Sequence, residues 1–266
     1  MIMALGRLEH WRWKHAGTQG VLFAGLLATS TLGRADGELP GTEVEGYPQC
    51  VRAIEPPREH VSFAPSEPAA RTGRRILETL ASVRASLRET RYEHVTRVQA
   101  RHGIYLWDCS GMVAWVLKRA APRALAALGD GRPVARDFYR AIARAPLGHA
   151  RRGWQRLAAI SEARPGDVIA WLRPQGWSSP STGHVAFVLE QPSAVPGHPD
   201  TWAVRIADAT SFGHQDDSRA RGSGGYGEGT LLVLTGPDGQ AIAYGWYGTQ
   251  SDAVLLTPIL FGRLVG

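Results

Sequence analysis

The chain has 266 residues, a formal net charge of +6, 44% hydrophobic residues and 20% charged residues. That balance excludes a disordered or fibrous chain, and two cysteines exclude a disulfide framework. The positive charge is nearly all arginine, with lysine only at Lys14 and Lys118, and no block of like charge forms a stripe for nucleic acid.

Residues 1–35 have the order of an export leader. Arg7, Arg12 and Lys14 precede the apolar run Gly20 to Leu32, and Gly33-Arg34-Ala35 supplies small residues where a signal peptidase reads. This predicts an exported protein, periplasmic or extracellular. No later segment is long and apolar enough for a stable membrane span. Residues 36–70, rich in Gly, Pro and Glu, read as an extended lead-in that holds Cys50.

The domain proper is expected over residues 71–266. Ser66 is a candidate N-cap with Pro68 in the first turn, and Ile76, Leu80, Val83 and Leu87 recur at helical spacing. The polar stretch after Leu87, "RETRYEHVTRVQARHGIYLWD", reads as irregular. A second helix begins at or near Cys109, carries Val113, Val116 and Leu117, and is interrupted by Pro122. A third follows Pro133.

The pattern then changes. "DVIAWL", "HVAFVLE" and "WAVRIADA" are short apolar runs bounded by Pro and Gly, and read as strands. "TLLVLTG" and "QAIAYGWYG" flank Pro237-Asp238-Gly239 as a hairpin, and "PILFGRLV" is a last strand. "RGSGGYGEG" reads as a Gly-rich loop without the ending of a phosphate loop. Helices first and strands second predict an α+β fold, with N-terminal helices packed on one side of a mostly antiparallel sheet.

The chemistry centres on "WDCSG". A thiol attacks a carbonyl as thiolate, and the first turn of a helix favours that anion. Cys109 lies where an irregular segment meets a helical pattern, and Ser110 and Gly111 leave room beside it. Position alone leaves two readings, a nucleophile or a buried structural cysteine. His184 opens a strand and is the best placed of nine histidines to take the thiol proton, with a half-buried strand histidine as its bland alternative. Asp208, near the end of the next strand, is placed to orient that imidazole, or else is a strand-end carboxylate.

Asp-Cys-Ser-Gly at a helix start, then "RPGDVIAW", then "GHVAFVLE" resembles the NlpC-type family of papain-like cysteine peptidases, the bacterial cell-wall endopeptidases. The likeness runs from about Tyr92 to Thr210 through three short motifs. It implies a papain-like fold, Cys109 as nucleophile with its amide in the oxyanion hole, His184 as general base and Asp208 as third polar residue. It also implies that Asp108, Ser110 and a tyrosine hold the free amine of a peptide stem. Tyr92 and Tyr105 are the candidates, though neither has the family's aromatic-Gly-Gly setting, and His94 is a further candidate beside Tyr92. The long polar segment "RPQGWSSPSTG" and the widened interval between His184 and Asp208 depart from the family and reshape its groove.

The function implied is cleavage of an amide or isopeptide bond in peptidoglycan stem peptides, with no cofactor and no metal. An amidase or acyltransferase acting on a lipid or small amide, and a non-catalytic wall-binding module, are the competing classes. A zinc site at Cys109 lacks ligands at suitable spacing. His214, Asp216 and Asp217 read as loop caps before metal ligands, and Cys50 is expected not to bridge Cys109.

Overall fold

In chain order the helices are α1 (Arg71–Ser86), α2 (Cys109–Ala120), α3 (Pro122–Ala126) and α4 (Ala135–Arg144). The strands are β1 (Cys50–Arg52), β2 (Glu89–Tyr92), β3 (Arg97–Gln99), β4 (Ile104–Trp107), β5 (Trp154–Arg156), β6 (Val168–Leu172), β7 (Gly183–Val188), β8 (Ser193–Val195), β9 (His198–Thr210), β10 (Gly225–Thr235), β11 (Ala241–Gly245), β12 (Ala253–Leu256) and β13 (Ile259–Leu264). They come from a computed structural model that describes residues 50–52, 61–177, 179–251 and 253–266. The expected leader over residues 1–35 lies outside the described residues. The fold is α+β, and its large sheet is antiparallel at every pairing.

That sheet runs β1-β12-β11-β10-β9-β7-β6-β13-β5, with β8 paired to β9. Its central strands are buried on both faces, which is why "DVIAWL" and "HVAFVLE" read as continuous apolar runs rather than alternating ones. One face, with Val168, Ala170, Val185, Phe187, Ala207 and Ala209, packs under α1, α2 and α4. The other, with Ile169, Trp171, Ala186, Val188, Val204 and Ile206, shares a second core with Tyr244 of β11 and Phe261 of β13. Strands well separated in the sheet order thus meet across its concave side. Helix α1 turns Ile76, Leu80 and Val83 inward, and α2 buries Met112, Val113, Val116 and Leu117, each worth about 1.5–3 kcal/mol when fully removed from water.

Four expectations change. Helix α1 starts at Arg71 after Ala70, not at Ser66, whose hydroxyl instead accepts the Gln191 amide at 3.1 Å. The stretch expected to be irregular after Leu87 holds a second sheet, β2-β4-β3, with β2 parallel and β3 antiparallel to β4. The expected Gly-rich loop is strand β10 from Gly225 onward. Within the expected lead-in, Cys50–Arg52 pairs with β12 and Val61 is buried, so residues upstream of 71 join the sheet and core.

Candidate active site

Strand β4 delivers the chain to Asp108, whose extended backbone ends the strand and whose side chain begins the helix. Its Oδ1 accepts the Gly111 amide at 2.7 Å and the Ser110 hydroxyl at 2.8 Å. This is a helix N-cap, and it makes Cys109 the first helical residue. The Cys109 amide therefore lies outside the helix's own hydrogen-bond ladder, and the helix dipole favours negative charge at its thiol. Cys109 is a buried free cysteine. Gly111 is small for a local reason, because a Cβ there would collide with Thr96 Oγ1.

His184 is presented by β7 beside β9. Pairing between these strands covers Phe187↔Ala207 and Val188↔Ile206, and just beyond it His184 Nε2 meets Asp208 Oδ2 at 2.7 Å. Gly183 has φ +137°, and a side chain there would strike the Trp171 carbonyl on β6, so the residue before the histidine must be glycine. Trp171 lies 5.0 Å from the imidazole, centroid to centroid, and Trp246 stands edge-on at 5.1 Å. Cys109 lies within electrostatic reach of the same imidazole.

Burial pushes the His184 pKa down, but the Cys109 charge and hydrogen bonds to Asp208 and Cys109 outweigh it and raise it to about 9. An NMR titration of the His184 ring is expected to give a midpoint near 9, moving down in Cys109→Ala. A midpoint unchanged by that substitution would contradict the pairing. Because the folded value exceeds the ordinary 6.5, the pair adds stability that is fully present below 6.5 and lost as pH rises through about 9.

Asp208 is wholly buried and serves more than one imidazole. His214 Nε2 meets the same Oδ2 at 2.9 Å, and His214 Nδ1 faces the Trp246 carbonyl at 3.2 Å. Arg219 donates Nη2 to Asp208 Oδ1 and, at 2.9 Å, to the Asp208 carbonyl. Its Nη1 reaches Asp217 Oδ2 at 2.6 Å and its Nε the Gly225 carbonyl at 2.8 Å. Burial alone would raise the Asp208 pKa; the His214 and Arg219 charges and the histidine hydrogen bonds hold it well below the usual carboxylate range.

The glycines of β10 make room for this network. A Cβ on Gly227 would meet Arg219 Cγ at 2.5 Å, and one on Gly229 would meet His214 Cβ at 2.7 Å. Alternate glycines leave one face of the strand bare, and the His214 and Arg219 side chains lie over it while their segment pairs along the strand's edge through Gln215 and Ser218. Sequence reasoning missed His214 and Arg219 as site residues, although period-two glycines beside "HQDDSR" were the available signal. Asp217 does cap its loop, accepting the His214 and Arg219 amides at 2.7 and 2.8 Å. Asp216 sits at φ +50° and gives its carbonyl to Arg205. Among the described residues no group of three His, Cys, Asp or Glu side chains is arranged to hold a metal.

The two tyrosines part company. Tyr92, at the end of β2, is within electrostatic reach of Cys109, Asp108, Asp208 and Arg132. Burial first, then those three negative groups, raise its hydroxyl's pKa well above the ordinary range, with Arg132 opposing. Tyr105 is fully buried; its hydroxyl bonds Ser86 Oγ at 2.7 Å and its ring packs against Trp107 and Trp115. The structure thus brings Tyr92 to the cysteine and gives Tyr105 to the core. Asp108 and Ser110 flank Cys109, but they bond to each other, and Arg132 Nη2 donates to Asp108 Oδ2. His94 stands at Tyr92's ring edge, its Nδ1 3.6 Å from the same carboxylate.

No helix among the described residues is long and apolar enough to cross a membrane. Comparison with family models, with curated proteins and with solved structures finds no match to this chain.

Proposed function

We propose that the protein is an exported, papain-like cysteine hydrolase that cleaves an amide or isopeptide bond in peptidoglycan stem peptides. One observation carries the reading: a cysteine at the first position of a helix, an imidazole within its electrostatic reach, and a buried carboxylate 2.7 Å from that imidazole's Nε2.

The chemistry follows from those positions. Cys109 Sγ, anionic beside the protonated His184, adds to the substrate carbonyl carbon. The Cys109 amide donates to the resulting oxyanion. His184 passes its proton to the departing amine, the C–N bond breaks, and a thioester remains on Cys109. Water then adds to the thioester with His184 taking its proton, and the acid product leaves the thiolate. Asp208 holds the ring with Nε2–H pointed away from the thiol throughout, as the third member of a triad does. The leader-like order of residues 1–35 and the motif resemblance supply the location and the wall substrate.

The test is a digest of purified muropeptides, read by mass spectrometry, with the protein before and after alkylation by iodoacetamide. New free amines and carboxylates are expected only with the unmodified protein. Cleavage that survives complete alkylation of Cys109 rejects the thiol mechanism, and an unchanged digest with active thiol rejects the wall substrate.

A further inference from the structure

We infer that the subsite beside Cys109 receives a carboxylate of the substrate, gripped by Arg132 with Tyr92 and His94 alongside, rather than a free amine. The inference rests on the hydrolase reading and specifies what that site selects.

An ammonium group needs acceptors, and the acceptor here is already in use. Asp108 Oδ1 takes the Ser110 hydroxyl and the Gly111 amide, and Oδ2 takes the Arg132 guanidinium. His94 Nδ1 stands 3.6 Å from that same Oδ2. A carboxylate offers about four lone-pair positions, so little remains for a ligand. Ser110 spends its proton on Asp108 and is itself buried.

Exposure points the same way. The Arg132 side chain is 45% exposed and that of Asp108 only 10%, so a ligand arriving from solvent meets the guanidinium, not the carboxylate. Arg132 has five N–H donors and Asp108 engages one nitrogen of the fork. His94, 73% exposed, adds a nitrogen that is cationic when protonated. Tyr92 supplies a hydroxyl whose pKa burial raises, in the electrostatic field of both Cys109 and Arg132, with its ring against His94. The set is rich in donors and carries positive charge on its outer side, which suits an anion and repels an amine. A Cβ on Gly129 or Gly131 would meet nothing within 4 Å, so the residues just before Arg132 border open space.

The test compares two alkylating agents of nearly equal size, iodoacetate and iodoacetamide. In both, Cys109 Sγ displaces iodide from the methylene carbon; only the first carries a carboxylate. The ratio of their second-order rate constants is measured on the full chain at one pH, for wild type, Arg132→Gln and Arg132→Lys. Arg132→Gln is expected to lower the iodoacetate-to-iodoacetamide ratio about fivefold, the effect of one unit charge a few ångströms away in water. Arg132→Lys is expected to keep most of it. A ratio unchanged in Arg132→Gln overturns the inference. Should that variant fold poorly, the same ratio is read on Arg132→Ala, which removes the charge at a half-exposed position; a ratio unchanged there overturns the inference too. Neither measurement requires turnover. An enzyme that cuts no muropeptide yet shows the Arg132-dependent ratio fails the wall-substrate reading and keeps this one.

Discussion

An Asp208→Asn enzyme is expected to lose about 10³–10⁴-fold in kcat/KM while keeping a free Cys109 thiol, the size of loss that follows a wrong imidazole tautomer in a triad. The reason is a shortage of acceptor atoms. Asp208 presents Oδ2 to two imidazole Nε2 atoms and Oδ1 to Arg219. A carboxamide keeps one oxygen and replaces the other with an NH₂ donor. If the oxygen faces the histidines, the NH₂ points at the guanidinium, donor against donor. If the oxygen faces Arg219, the NH₂ points at His184 Nε2, which must then become the acceptor. His184 would carry its proton on the nitrogen beside Cys109, unable to take one from the thiol.

The pH profile separates this from simple misfolding. In wild type the Cys109 charge and Asp208 together keep His184 protonated to about 9, so the basic limb of kcat/KM is expected near that value. Removing the Asp208 charge removes a cause of the upward shift, so the limb moves to lower pH in Asp208→Asn. A variant with lowered activity but an unmoved basic limb would show that Asp208 does not act through the imidazole.

How far the site was legible in the sequence depends on the range of each signal. Cys109, His184 and Asp208 stand at element ends, where an N-cap, a glycine and a strand terminus mark position locally. The order of elements was legible because apolar spacing changes from helical to continuous near Asp167. Strands β2, β3 and β4 were not legible, since they are three or four residues long and only β4 is mostly buried. Too little alternation exists in so few residues to distinguish a strand from a loop. Strand β10 was legible only from Thr230 onward; its first half was disguised by glycines, which serve the packing of His214 and Arg219 and lower strand propensity. Arg132 lies 24 residues from Asp108 in a Gly-rich turn, and nothing local to either residue announces the pair. The contact of Arg219 with Asp208 is fixed by tertiary structure, and its trace in the sequence is indirect, the period-two glycines that make room for the side chain.

Replacing Arg219 by Met, which keeps the bulk of the side chain and deletes its charge, is expected to destabilise the protein by about 3–5 kcal/mol at neutral pH, the cost of breaking a buried pair from one side. Both partners are out of water, with Arg219 2% exposed and Asp208 0% by side chain. The variant leaves Asp208 Oδ1 and the Asp208 carbonyl without their donor, and Asp217 with a like-charged neighbour no longer bridged. The pH dependence has a definite sign. The folded Asp208 pKa lies well below the ordinary 3.8, so its charge contributes stability above that value that is lost as pH falls through the folded one. Without Arg219 the folded value rises, and the contribution disappears at higher pH. The deficit of Arg219→Met, measured by urea unfolding, is therefore full near pH 7 and narrows toward pH 3, where proton uptake removes the charge that Arg219 balanced. A deficit as large at pH 3 as at pH 7 would assign Arg219 to packing alone. The double variant Arg219→Met/Asp208→Asn removes the buried carboxylate along with its partner, and is expected to be more stable than the sum of the single losses by about 1 kcal/mol or more. Strict additivity would mean that the two side chains do not depend on each other, and the network around His184 would then lack its anchor.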